Sequence, residues 1–118
     1  MSIAQIPPQV QKNIDLPIDA IADFCDRWQI VELALFGSVL RDDFRPDSDI
    51  DVLYLFANDH KFSLFDLVTM RDELQSLFRR KVDLISRKGI EASRNYLRKK
   101  EILSTAVTIY EKGHKLLA

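Results

Sequence analysis

Apolar residues recur along the chain with two different periods, and the switches between them divide it into elements. Ile18, Ile21, Ala22, Cys25 and Trp28 or Gln29 fall three or four apart, the spacing of one helical face. With Asp15 as a candidate N-cap and Pro17 in the first turn, they predict a helix over about 17–28. Val31 to Phe36 is a short β-branched, apolar and aromatic run that ends at Gly37, which predicts a buried strand followed by a turn. Asp49 to Phe56 predicts a second strand. Phe62 to Phe78 returns to helical spacing through Leu64, Leu67, Val68, Leu74, Leu77 and Phe78, and Ser63 three residues before Asp66 has the form of a capping box. Lys81 to Ser86 predicts a third strand, with Val82 and Leu84 on one face and Asp83 and Ile85 on the other. Residues 1–15, with Pro7 and Pro8, suggest an irregular lead-in or a short helix near Val10. Beyond Gly89 the spacing predicts helix to the end of the chain, with an apolar stripe of Ile102, Leu103, Ala106, Val107 and Tyr110 that either packs on the body or is offered to a partner. The elements predict an α+β fold: a small mixed sheet of three or more strands with helices packed on one face.

Composition narrows the class. At 118 residues, 47% hydrophobic and 30% charged, the chain fits one soluble globular domain spanning 1–118. No apolar run approaches the ~20 residues of a membrane-spanning helix, and no basic flank followed by an apolar stretch opens the chain, so a cytoplasmic, unprocessed protein is expected. A lone cysteine, Cys25, excludes an internal disulfide or a multi-thiolate metal site and suits core packing. His60 and His114 lack ligand spacing to each other and are expected at the surface. The net charge of −1 conceals an asymmetry: residues 1–78 carry a net −8, residues 79–100 a net +7, and the remainder is neutral. The basic segment is either a solvated helix face or a surface for an anionic partner or a triphosphate.

Candidate chemistry gathers at the strand ends. Gly37-Ser38 closes the first strand, Asp49-Ile50-Asp51 opens the second and Asp83 lies in the third. Residues i and i+2 of a strand share a face, roughly 7 Å apart, so Asp49 and Asp51 set two carboxylates side by side. Two carboxylates in an otherwise apolar strand repel each other, and a divalent cation resolves the conflict. Hard oxygen ligands select Mg²⁺ or Mn²⁺, and Mg²⁺ usually takes one or two carboxylates together with substrate phosphates. Gly37, without a Cβ, lets backbone approach a phosphate, and Ser38 adds a hydroxyl and an N–H. Asp83, if its strand pairs beside the second, brings a third carboxylate that either holds a second ion or accepts the proton of an attacking hydroxyl. A calcium loop over 47–58 is excluded, because its sixth place holds Val52 and its twelfth Asn58.

The stretch GSVLRDDFRPDSDID, in which Gly37-Ser38 is followed after ten residues by Asp49-Ile50-Asp51, resembles the signature of the DNA polymerase β-like nucleotidyltransferase superfamily. Arg41, Ser48 and Val82-Asp83-Leu84 fit it as well, and the resemblance covers about residues 18–112. Within the superfamily the chain is similar to the minimal nucleotidyltransferases encoded beside a HEPN-domain partner, the MntA type of toxin-antitoxin pairs. The tail from Leu97 to Glu111 looks like that group's closing helix. The resemblance implies nucleotidyl transfer: Asp49 and Asp51 bind metal, two Mg²⁺ ions in all, Gly37 and Ser38 hold the triphosphate, and Asp83 activates the acceptor hydroxyl. It further implies ATP as donor and a tyrosine of the HEPN toxin as acceptor, so that adding AMP silences a ribonuclease.

Other readings stand beside this one. Arg41 either orients the triphosphate or pairs with Asp42, Asp43 or Asp47, and Ser48 either contacts phosphate or caps the turn after Pro46. An alternative function is a non-catalytic antitoxin that blocks its partner through the last helix's stripe and the basic segment. Another keeps the catalysis but transfers to a small molecule or an RNA end, with Arg94, Arg98 and Lys99 as the RNA contacts.

Overall fold

The computed structural model of the chain describes residues 3–57, 62–113 and 115–117. Its elements in chain order are β1 (Ile3–Gln5), α1 (Pro8–Asn13), α2 (Ile18–Arg27), β2 (Ile30–Phe36), a 3₁₀ turn (Gly37–Leu40), β3 (Ile50–Phe56), α3 (Leu64–Phe78), β4 (Val82–Ser86), α4 (Arg87–Glu91), α5 (Tyr96–Thr105), β5 (Val107–Glu111) and β6 (Lys115–Leu117). Four strands form a mixed sheet in the order β4-β3-β2-β5, in which β3 and β4 run parallel and the other neighbours antiparallel. β1 and β6 make a separate two-stranded parallel pair.

Strand alternation sorts the side chains onto two faces. Leu33, Leu35, Ile50, Val52, Val82 and Ile109 point to one face and pack with Ile21, Phe24 and Cys25 of α2, Met70, Leu74 and Phe78 of α3, and Val10 of α1. Each such large side chain, fully buried, contributes about 1.5–3 kcal/mol. Ala34, Phe36 and Leu53 point the other way, to a smaller cluster with Ile90 of α4 and Ile102 of α5. The mixed sheet with α2 and α3 over one face is the fold class expected from the sequence; the opposite face also carries the short α4 and α5, which the sequence did not place. Asp51 and Asp83 share that second face with Leu53 and Ile85 by strand alternation.

The local signals explain most boundaries. Ser63 accepts the Asp66 N–H at 3.2 Å and the Asp66 carboxylate accepts the Ser63 N–H at 2.9 Å, the capping box read from the sequence. α3 then ends at Arg79 in the left-handed region, φ 57°. α2 lies within the expected range, but its N-cap is Pro17, with no side-chain cap, so Asp15 does not cap it. Residues 8–13 take the short-helix alternative of the lead-in, and the strand β1 ahead of it was not foreseen.

The end of the chain corrects the sequence reading. The expected closing helix over 89–118 stops at Thr105, and Val107–Glu111 forms β5, which pairs antiparallel with β2. Val107, Thr108, Ile109 and Tyr110 are β-branched or aromatic, and the β2 edge offers them a ladder of backbone partners that a helix would leave unpaired. The apolar stripe is therefore divided: Ile102, Leu103 and Ala106 pack on the second face, while Tyr110 packs with the main core. All of these side chains serve the body of the protein. His60 and His114 lie outside the described residues. Cys25 is fully buried, and burial pushes its thiol up to about 12, consistent with core packing. No helix among the described residues is long and apolar enough to cross a membrane.

Candidate active site

The sheet register assembles the acidic cluster. Asp51 pairs with Phe36 across β2–β3 and with Asp83 across β3–β4, so Asp51 and Asp83 stand side by side on neighbouring strands, whose backbones lie about 4.8 Å apart. Asp49 precedes β3, exposed, one alternation away from Asp51 on the same side. Its position is set by the Ile50 N–H, which donates to the Lys81 carbonyl at 2.9 Å. The Asp51 carboxyl is held above its usual range, chiefly by partial burial, then by the charges of Asp83 and Asp49; Arg98 and Arg41 pull it back down. The charges of Asp49 and Asp83, from two places in the sequence, thus both act on Asp51.

Gly37 closes β2 directly above this cluster. Its φ of +79° lies in the left-handed region, and a Cβ there would stand 3.2 Å from Asp51 Cγ and collide with Oδ2. Glycine is therefore required twice, once by conformation and once by the close approach of the carboxylate. Gly37–Leu40 forms the short helical turn expected after the strand, and Ser38 sits half-buried within it, its carbonyl accepting the Arg41 N–H at 2.9 Å.

The two ambiguous residues separate. Arg41 Nε pairs with Asp43 at 3.1 Å in an exposed ion pair, while its charge still reaches Asp51. Ser48 takes the turn reading: its hydroxyl accepts the Arg45 N–H at 3.0 Å, and its own N–H donates to the Arg45 carbonyl at 3.0 Å. The loop from Arg41 to Asp49 is held from outside by Arg80. Its Nη1 donates to the Arg45 and Pro46 carbonyls at 2.8 and 3.0 Å, and its guanidinium lies 4.3 Å from the centre of the Phe44 ring. No pattern along the chain points to this latch, since it depends on the entry to β4 meeting a distant turn.

Beside Gly37, on the second face, lies a cavity of about 650 Å³ walled by α1, the 3₁₀ turn and α5. Among the described residues no three His, Cys, Asp or Glu side chains are gathered closely enough to enclose an ion by themselves.

The mixed sheet and its helices match the folds of several solved structures. Over 83% of this chain and 76% of the other, the structure superposes on a toxin-antitoxin complex crystallised with AMP-PNP, with a TM-score of 0.61 and 18% identity. A solved structure provisionally called a minimal nucleotidyltransferase is 30% identical, with a TM-score of 0.59, over 76% of this chain and 86% of its own. A complex of a tri-AMPylated Shewanella oneidensis HEPN toxin with an MNT antitoxin matches at TM-score 0.54 and 18% identity, over 87% and 73% of the two chains. Two proteins of Methanocaldococcus jannaschii provisionally named protein adenylyltransferases are each 32% identical over 65 residues, 55% of this chain. The match spans just under two thirds of these curated relatives, 65% and 64% of their lengths. The model of the nucleotidyltransferase domain matches residues 18–109, and the chain belongs to that family.

Proposed function

We propose that the protein transfers AMP from ATP to a hydroxyl, with a tyrosine of a co-encoded HEPN ribonuclease toxin as acceptor, and thereby acts as its antitoxin. The observation that carries this reading is the contact of Gly37 with Asp51 while Asp51 stands in register with Asp83. It joins a phosphate seat to the carboxylates that phosphoryl chemistry requires. AMP-PNP and AMPylated toxin in the complexes of similar fold support ATP as donor and a protein as acceptor.

In this reading Gly37 and Ser38 offer backbone and hydroxyl to the β and γ phosphates. Asp49 and Asp51 are the residues that would hold Mg²⁺. The fit rests on their chemistry: hard oxygens beside one another, one of them already forced to hold its proton more tightly by burial and like charge. When bound, the ion supplies neutralisation of the triphosphate. Asp83 accepts the acceptor's proton as its oxygen forms a bond to the α-phosphorus. The bond from that phosphorus to the β-phosphate's bridging oxygen breaks, and pyrophosphate leaves. Arg41 lends charge toward the phosphates beyond its pair with Asp43.

Catalysis and occlusion differ in stoichiometry. With Mg²⁺ and ATP, a small molar fraction of the protein is expected to silence an excess of the partner ribonuclease, and Asp49→Asn to fail. Silencing only at equal amounts, without nucleotide, would establish a blocking antitoxin instead. The stripe on which blocking would have relied is spent on the fold, with Ile102 buried and Leu103 and Ala106 packed beside it.

A further inference from the structure

α5 carries a cation to the site from the far end of the sequence. Ile102 is buried against Phe36 and Leu53 on the second face, which fixes the rotation of the helix. Arg98, four residues earlier, falls on the same side one turn toward the helix N-terminus. Its placement is secured at that end, because Asn95 Oδ1 accepts the Arg98 N–H at 3.2 Å. Arg98, Ile102 and Thr105 accordingly line the same cavity as Gly37 and Arg41, with Glu101 as its one acidic lining residue.

Arg27, Arg41, Arg71 and Arg87 each form an ion pair, and Arg80 latches a loop, whereas Arg98 forms no ion pair among the described residues. Asp51 is near enough to feel its field, yet the two stay beyond ion-pair distance. An exposed arginine on the wall of the cavity beside Gly37, close enough to the carboxylates to act on Asp51, suits an anion that enters that cavity.

We propose that Arg98 binds the terminal phosphates of the nucleoside triphosphate and steadies pyrophosphate as the leaving group. This rests on the nucleotidyl-transfer reading above and adds a residue to it. When the bond from the α-phosphorus to the bridging oxygen breaks, its electron pair and the negative charge go to pyrophosphate. A guanidinium already in place stabilises that charge without reorganisation. The proposed contact is with the part of the donor that departs and not with the α-phosphate or the nucleoside.

Calorimetric titration of the full chain in Mg²⁺ with a non-hydrolysable α,β-methylene ATP analogue, pyrophosphate and AMP tests this. Arg98→Ala is expected to weaken the analogue and pyrophosphate about tenfold, the loss of one charge-assisted contact, and to leave AMP within about twofold. Arg98→Lys is expected to recover part of the loss, and both variants to melt with the wild type. Unchanged affinity of Arg98→Ala for the analogue, or an equal loss for AMP, would overturn the assignment while leaving the site reading intact. A wild-type chain that binds none of the three ligands would overturn both.

Discussion

Asp51 concentrates the conflict between folding and function in one side chain. Half-buried and flanked by Asp83 and Asp49, its carboxyl holds its proton more tightly in the folded than in the unfolded chain. The stabilising contribution is thus fully present below the ordinary carboxylate pKa and is lost as pH rises through the raised folded value. Without divalent cation, Asp51→Asn is expected to melt above the wild type at neutral pH, with the gap closing as the pH is lowered past the ordinary aspartate range. A variant melting below the wild type at neutral pH would show that the carboxylate is compensated in some other way. Gly37 sits at the other side of the same contact. Alanine there meets both a left-handed backbone and the Asp51 carboxylate, so Gly37→Ala is expected to lose about 1–3 kcal/mol in chemical denaturation. Loss of triphosphate binding should accompany it. If Gly37→Ala keeps full stability, the turn is not held in this conformation.

At the scale of elements, the helices and strands divide into those specified locally and those specified by their neighbours. α3 is local: its capping box and spacing are both in the sequence, and Ser63→Ala is expected to cost about 1 kcal/mol in denaturant titrations without affecting nucleotide binding. β5 is not. Val107 and Tyr110 at three-residue spacing after Ile102, Leu103 and Ala106 satisfy a helical pattern equally well, and only the vacant edge of β2 decides for a strand. Ile109 shows the consequence: it is 1% exposed and points into the main core, so Ile109→Ala is expected to cost about 2–5 kcal/mol. A cost below about 1 kcal/mol would contradict the strand. The same division holds in the site. Gly37, Asp49 and Asp51 were legible because one turn and one alternation place them, and Asp83 because its own strand shows an apolar alternation. The Arg80 latch and the approach of Arg98 were not, since each joins elements that only the folded sheet brings together.

The molecule as a whole resolves the charge asymmetry of the sequence. Three of the nine basic residues in 79–100 have separate roles: Arg80 holds the loop before Asp49, Arg87 pairs with Glu32, and Arg98 lines the cavity beside Gly37. The two faces of the sheet divide the work as well. One carries α2, α3 and the main core, and the other leaves its β3–β4 end to Asp51 and Asp83. At that end Asp49 and Asp83 are exposed. The most direct test uses the wild type with Mg²⁺, its co-encoded partner and ATP labelled at either the α or the γ phosphate. Label from the α position alone is expected on the partner, and none with Asp49→Asn. Transfer of the γ label, or undiminished α transfer by Asp49→Asn, would contradict a nucleotidyltransferase built on these carboxylates.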